Sequence, residues 1–201
     1  MSSVSEHEER DAVDLVTDCM YAVGFLVDAT NLAFHPDGEK ISVKKFFDTW
    51  HSGTGRTKLL LPFNPGVILA FLYVGILFPK EMSDWYGLVP DDELPTSDPS
   101  WGLAHATVIS PKHPKPTVKD CVRRIRNSLG HASPKYNMPT SISKGENILE
   151  KVTLTFKDVN MRDQGDTFEV TLNLSQCLAL VKKFQSVVHK HVRGKYGLQA
   201  V

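Results

Sequence analysis

Apolar positions along the chain switch from helical spacing to strand spacing and back. From about Glu8 to Phe34, Val16, Met20, Val23 and Val27 recur every three or four residues, with Cys19 and Leu26 flanking. That spacing predicts a long helix. His35-Pro36-Asp37-Gly38 stops it, because Pro and Asp-Gly favour a turn. A short helix over Val43–Trp50 follows, with Ser42 as its cap. His51–Lys58 reads as a Gly/Thr-rich loop. Gly53–Lys58 lacks the spacing of a phosphate loop, and no strand precedes it.

The next helix begins with Asn64 as cap and Pro65 at the first helical position, where a missing N–H costs nothing. Val67–Phe78 is apolar on all sides, as expected of a central helix, and Pro79 ends it. The run spans only about 18 Å as a helix, against roughly 30 Å of membrane hydrocarbon, so a buried core helix is expected. Residues 80–116 read as a long connection holding six of the twelve prolines. Trp85, Tyr86 and Trp101 predict that it packs on the body. A further helix starts after Pro116, where Thr117 and Asp120 resemble a capping box. Val118, Val122, Ile125 and Leu129 form its apolar stripe, and Gly130 with Pro134 ends it by about Ala132.

Residues 151–173 change period. Val152, Leu154 and Phe156 alternate with polar residues; after a polar turn around Asp163–Asp166, Phe168, Val170 and Leu172 alternate again. This predicts a β-hairpin with one apolar face, which must lie on helices because a lone hairpin is marginal. Cys177, Val181, Phe184 and Val188 return to helical spacing in a last helix over about 175–193. The expected fold is mainly α, a helical bundle with an inserted β-hairpin before the last helix. A single domain over 1–201 is expected. Its helical core lies at about 10–79 and 117–132, and its connection at 80–116.

Composition adds little until the charge is divided. Hydrophobic residues are 41% and charged residues 23%, which excludes gross disorder and fibrous repeats. Net charge is zero, yet residues 1–100 hold 7 basic and 16 acidic side chains, while 101–201 hold 16 basic and 7 acidic. Such an asymmetry hints at an anionic partner; an acidic helix packed beside a basic one gives the same sum. The densest positive stretch, 112–126, contains Lys112, Lys115, Lys119, Arg123, Arg124 and Arg126 against Asp120 alone. It suits a phosphate backbone, and it equally suits a solvated basic face. Cys19, Cys121 and Cys177 are widely separated among apolar neighbours, as buried thiols of a reducing cytoplasm would be. The polar, acidic N-terminus shows no signal peptide, and the expected location is cytoplasmic. His189 and His191 lie about 200° apart on a helix, poor geometry for a shared metal. No metal site and no cofactor is expected.

The most informative segment is Arg126-Asn127-Ser128-Leu129-Gly130-His131. A His titrates near neutral pH and can take or give a proton, and an Arg grips phosphate with two parallel donors. These are much of what metal-free RNA cleavage needs. The string resembles the Arg-x4–6-His motif of HEPN domains (higher eukaryotes and prokaryotes nucleotide-binding), with Asn127 as the polar residue typical after the Arg. Its context is similar to a bacterial, often plasmid- or defence-associated subgroup. The shared order is an apolar helix ending in Phe-Pro-Lys-Glu (78–81), Trp-Gly (101–102), Val-Arg-Arg-Ile-Arg-Asn (122–127), a hairpin and a last helix. Gly130 stands where Ala is commoner.

The resemblance implies a compact HEPN-like bundle that works as a homodimer with a composite active site. It also implies metal-independent endoribonuclease activity through 2′-hydroxyl attack, leaving a 2′,3′-cyclic phosphate. Many members are toxins or antiviral effectors, so an antitoxin or regulatory partner is a further implication. His131 would act as acid/base, Arg126 would hold the scissile phosphate, and Asn127 would position His131. Arg123, Arg124, Lys119 and Lys115 are the candidate RNA-binding cations. The alternative is a non-catalytic HEPN module that binds RNA, nucleotide or a protein. Helix geometry leaves one choice open. Arg126 and His131 lie about 140° apart on an ideal helix, whereas Arg124, Asn127 and His131 are nearly aligned. Either the helix unwinds at Gly130, or two copies of the motif meet at a two-fold axis.

Overall fold

A computed structural model describes residues 6–55, 62, 64–77, 85–131, 134–139 and 146–196, without the side chains of 6–16, 18 and 19. The second half of the Gly/Thr loop, the Phe-Pro-Lys-Glu string with the Pro79 stop, Ala132, and the Val16 and Cys19 side chains lie outside these residues. The chain divides into two compact units, Met1–Phe71 and Leu72–Val201.

In the first unit, α1 spans Glu6–Ala33 and α2 spans Val43–Gly53. Ser42 caps α2 by accepting from the Lys45 N–H at 3.2 Å. Aromatic rings join the two helices: Phe25 packs on Phe46 at 5.2 Å and edge-on to Trp50 at 5.0 Å between centroids. With Phe25 turned to α2, the aliphatic stripe expected to drive packing faces outward, and Met20, Val23, Leu26 and Val27 are all exposed. A third helix, α3, spans Pro65–Leu72, with the Asn64 side chain accepting from Val67 N–H at 3.1 Å.

The second unit opens with one wide π-type turn, Tyr73–Leu77. The expected all-round burial of this stretch is incomplete: Leu72 and Ile76 are buried, while Val74 is exposed. The connection after it is not structureless. It makes short 3-10 turns at Trp85–Leu88, Leu94–Thr96 and Pro99–Trp101, then the strand β1, Thr107–Ile109. Trp101 is fully buried, as its place in the connection predicts.

Helix α4, Val118–Gly130, begins at the capping box foreseen from Thr117 and Asp120. Short strand β2, Lys135–Asn137, and one helical turn, α5, Ile148–Lys151, precede the hairpin of β3, Thr153–Asn160, and β4, Asp163–Asn173. Helix α6, Leu174–Tyr196, closes the unit. The expected hairpin is thus the centre of a four-stranded antiparallel sheet, ordered β1-β4-β3-β2. Its edge strands have three residues each, too few for alternation to announce them. The turn falls at Met161–Arg162, earlier than the polar Asp163–Asp166 segment suggests, and a register shift at Val159/Asn160 absorbs the extra residues.

The inner face of the hairpin carries Leu154, Phe156, Phe168, Val170 and Leu172, all buried. Helix α4 packs along β3 with Val118, Cys121, Val122, Ile125 and Leu129 inward. Strand β2 pairs with β3 only as far as Thr155. Beyond it, the buried Ser128 hydroxyl of α4 accepts the Lys157 N–H at 3.1 Å, satisfying an edge donor and fixing helix to strand.

Candidate active site

The face of α4 that meets the far end of the hairpin is polar. Arg124, Asn127 and His131 follow one another at spacings of three and four, so they form one stripe on the helix. The inward phase of β3 runs on from Leu154 and Phe156 to Asp158, and that of β4 runs back from Phe168 to Asp166. Both carboxylates are therefore buried. Arg124, itself buried, answers them with a two-pronged bond: Nη1 donates to Asp158 Oδ2 at 2.9 Å, and Nη2 donates to Asp166 Oδ1. Burial works against the Arg124 charge, but the two carboxylates outweigh it and hold the guanidinium pKa above its ordinary value. The same hydrogen bond from Arg124, with a second from Asn160, holds the Asp166 carboxyl below its ordinary range.

The amides extend the network. Asn127 Nδ2 donates to Asp158 Oδ2 at 3.1 Å, and Asn160 Nδ2 donates to Asp166 Oδ2 at 3.1 Å. His113 Nε2 lies 3.8 Å from Asp166 Oδ1. A cleft of about 450 Å³ opens over this cluster. Arg123, Arg124, Asn127 and His131 line one side, and residues 158–162 with Asp166 line the other. His131 is exposed and stands at the C-cap of α4. The helix does not unwind before it, since the His131 N–H still donates to the Asn127 carbonyl at 3.0 Å.

Arg126 lies elsewhere. Its guanidinium carbon sits 5.8 Å from the centre of the Tyr86 ring, and its Nε is buried with no hydrogen-bond partner among the described residues. Tyr86 in turn packs on Phe184 and donates its hydroxyl to the Ile76 carbonyl. Burial raises the Tyr86 pKa far beyond neutral pH even with Arg126 nearby, so the phenol is not a neutral-pH base.

Of the candidate RNA-binding cations, Arg123 and Arg124 line the cleft, and Lys115 and Lys119 do not. Much of the positive stretch is internally paired. Lys112 meets Asp163, Lys115 meets Glu93 at 3.8 Å, Arg123 meets Asp120 at 2.9 Å, and Arg124 is held by two carboxylates. Asp158, Asp166, Asn160 and Arg162 are site residues that sequence spacing did not single out. Their signal was present: two Asp stand in the inward phase of otherwise apolar strands, and buried carboxylates need a partner. Among the described residues, no three His, Cys, Asp or Glu side chains gather into a metal-binding group. No helix among them is long and apolar enough to cross a membrane.

A protein-family model described as HEPN pEK499 p136 matches residues 6–195. The chain belongs to this HEPN family. The match spans both units and every element from α1 to α6. Searches of the curated proteins and of the solved structures found no match. A HEPN assignment places the protein among nuclease, RNA-related and nucleotide-binding domains and agrees with its mainly helical fold.

Proposed function

We propose that this HEPN protein is a metal-independent endoribonuclease. The reading is carried by one observation: Asn127 and His131 share the stripe of α4 that lines the cleft, with the Asn127 amide held by Asp158. In the proposed reaction, His131 removes the 2′-hydroxyl proton. The freed oxygen bonds to phosphorus, the bond from phosphorus to the 5′-oxygen breaks, and that oxygen takes a proton from water. The products are a 2′,3′-cyclic phosphate and a 5′-hydroxyl. Arg126 supplies charge to the phosphate and Asn127 orients His131. Because Arg126 and His131 of one chain turn to different surroundings, the site is composite: a second copy of the chain provides the missing member. This chemistry fits a cytoplasmic toxin or antiviral effector governed by an antitoxin or regulatory partner.

The deciding experiment incubates wild type and His131→Ala with a mixed RNA pool in EDTA and maps product ends. Cyclic-phosphate ends from wild type alone are expected. Equal cleavage by His131→Ala, or cleavage at a 2′-deoxy residue, overturns the mechanism. One observation favours a second reading, a non-catalytic module for RNA, nucleotide or a protein partner: Arg126 packs over Tyr86 and does not line the cleft. Salt-dependent RNA binding without any cutting is the result it expects.

A further inference from the structure

The cleft beside His131 has an electrostatic gap that its motif residues leave open. Arg124 with Asp158 and Asp166 is a buried triad of net charge −1, which opposes an incoming phosphate. Arg123 is paired with Asp120. Arg126 faces Tyr86. In the proposed composite site the second copy's Arg126 serves the scissile phosphate, so a flanking backbone phosphate held by this chain needs another cation, and the hairpin turn supplies one. Arg162 lines the same cleft, is exposed, and has no ion-pair partner among the described residues.

The turn is also fixed in place. Arg162 N–H donates to Asn160 Oδ1 at 3.0 Å, and the Asn160 amide donates to Asp166 Oδ2 at 3.1 Å. Asp166 is held in turn by Arg124 of α4. The register shift at Val159/Asn160 lies immediately before the turn, where such irregularities re-aim side chains. A chain of hydrogen bonds thus runs from the helix bearing His131 to the backbone of Arg162. A guanidinium on an anchored turn loses less freedom on binding than one on a free loop.

We infer that Arg162, presented by the bracketed hairpin turn, is the cation with which the His131 cleft grips a backbone phosphate of single-stranded RNA. The inference rests on the RNA reading of the cleft and assigns the contact to a residue outside the Arg-x4-His motif. A guanidinium–phosphate contact is charge-assisted, and losing one weakens binding by about tenfold or more.

The test measures binding of a fluorescent, fully 2′-O-methylated RNA oligonucleotide, which cannot be cut, across a salt series. Arg162→Ala should weaken binding about tenfold and flatten the slope of log Kd against log salt by about 0.7. Arg162→Lys should recover the slope but only part of the affinity. Lys195→Gln removes a charge at the far end of α6 and should change neither. If Arg162→Ala binds as tightly as wild type with the same slope, or if Lys195→Gln loses as much, the Arg162 assignment falls while the RNA reading stands. If wild type does not bind the oligonucleotide, both fall.

Discussion

Arg126 on α4 and His131 at its C-cap, five residues apart, turn to different surroundings: the Arg126 guanidinium lies over the Tyr86 ring, while His131 lines the cleft beside the hairpin. The proposed composite site therefore takes Arg126 from one chain and His131 from the other. Arg126→Ala and His131→Ala should each be inactive alone. Co-expressed with different tags and purified as mixed dimers, they should recover a measurable fraction of wild-type cleavage, because one of the two composite sites is intact. Mixed dimers as inactive as their parents would remove the composite site.

Arg124 is predicted to matter first for folding. Truncating it leaves Asp158 and Asp166 buried without their counter-charge, and breaking such a pair costs about 3–5 kcal/mol. Arg124→Ala should therefore lower the urea midpoint sharply. Arg124→Met combined with Asp158→Asn and Asp166→Asn should recover much of the loss, because no charge is then left buried. A single Arg124→Ala variant as stable as wild type would show that the triad contributes little. Its activity is interpretable only beside that measurement.

The helices were legible because their signals are local: the Ser42 cap, Asn64-Pro65, and the Thr117/Asp120 box all sit where the structure uses them. The hairpin was legible from its alternation. What spacing did not reveal depends on partners distant in sequence. The outward turn of the α1 aliphatic stripe follows from Phe25 meeting Phe46 and Trp50 across a turn. The pairing of Arg124 requires Asp158 and Asp166, 34 and 42 residues away. The same pairing explains why a stretch that reads as strongly basic is much less so once folded.

Gly102 should not tolerate a side chain. Its φ of +73° lies in the left-handed region. A Cβ there would stand 2.6 Å from the Gln176 carbonyl oxygen and 3.0 Å from Ala179 Cβ. The turn carrying buried Trp101 packs that closely on α6. Gly102→Ala should cost about 2 kcal/mol or more, from backbone strain and overpacking together. Gly53→Ala, where no atom of the described residues lies within 4 Å of the added Cβ, should be nearly silent. Equal denaturant midpoints for the two variants would contradict this packing.

Acid should loosen the triad at Asp166. In the folded protein its carboxyl titrates below the ordinary 3.8, chiefly because Arg124 and Asn160 donate to it, with His113 adding attraction. The folded state thus binds fewer protons than the unfolded chain in this window, and stability falls as pH falls. The contribution is fully present above about pH 5 and is lost as pH drops through the depressed folded value. Asp98 adds a second acid-sensitive carboxyl, held at about 2 first by its hydrogen bond from Lys183. The two are separable by salt, because the more exposed Asp98–Lys183 pair is screened at high ionic strength and the buried Arg124–Asp166 pair is screened much less. Urea midpoints measured from pH 7 to pH 3 in 1 M NaCl should therefore still fall, and fall less steeply in Asp166→Asn than in wild type. Parallel pH profiles for the two proteins would mean that Asp166 carries no charge-dependent share of stability.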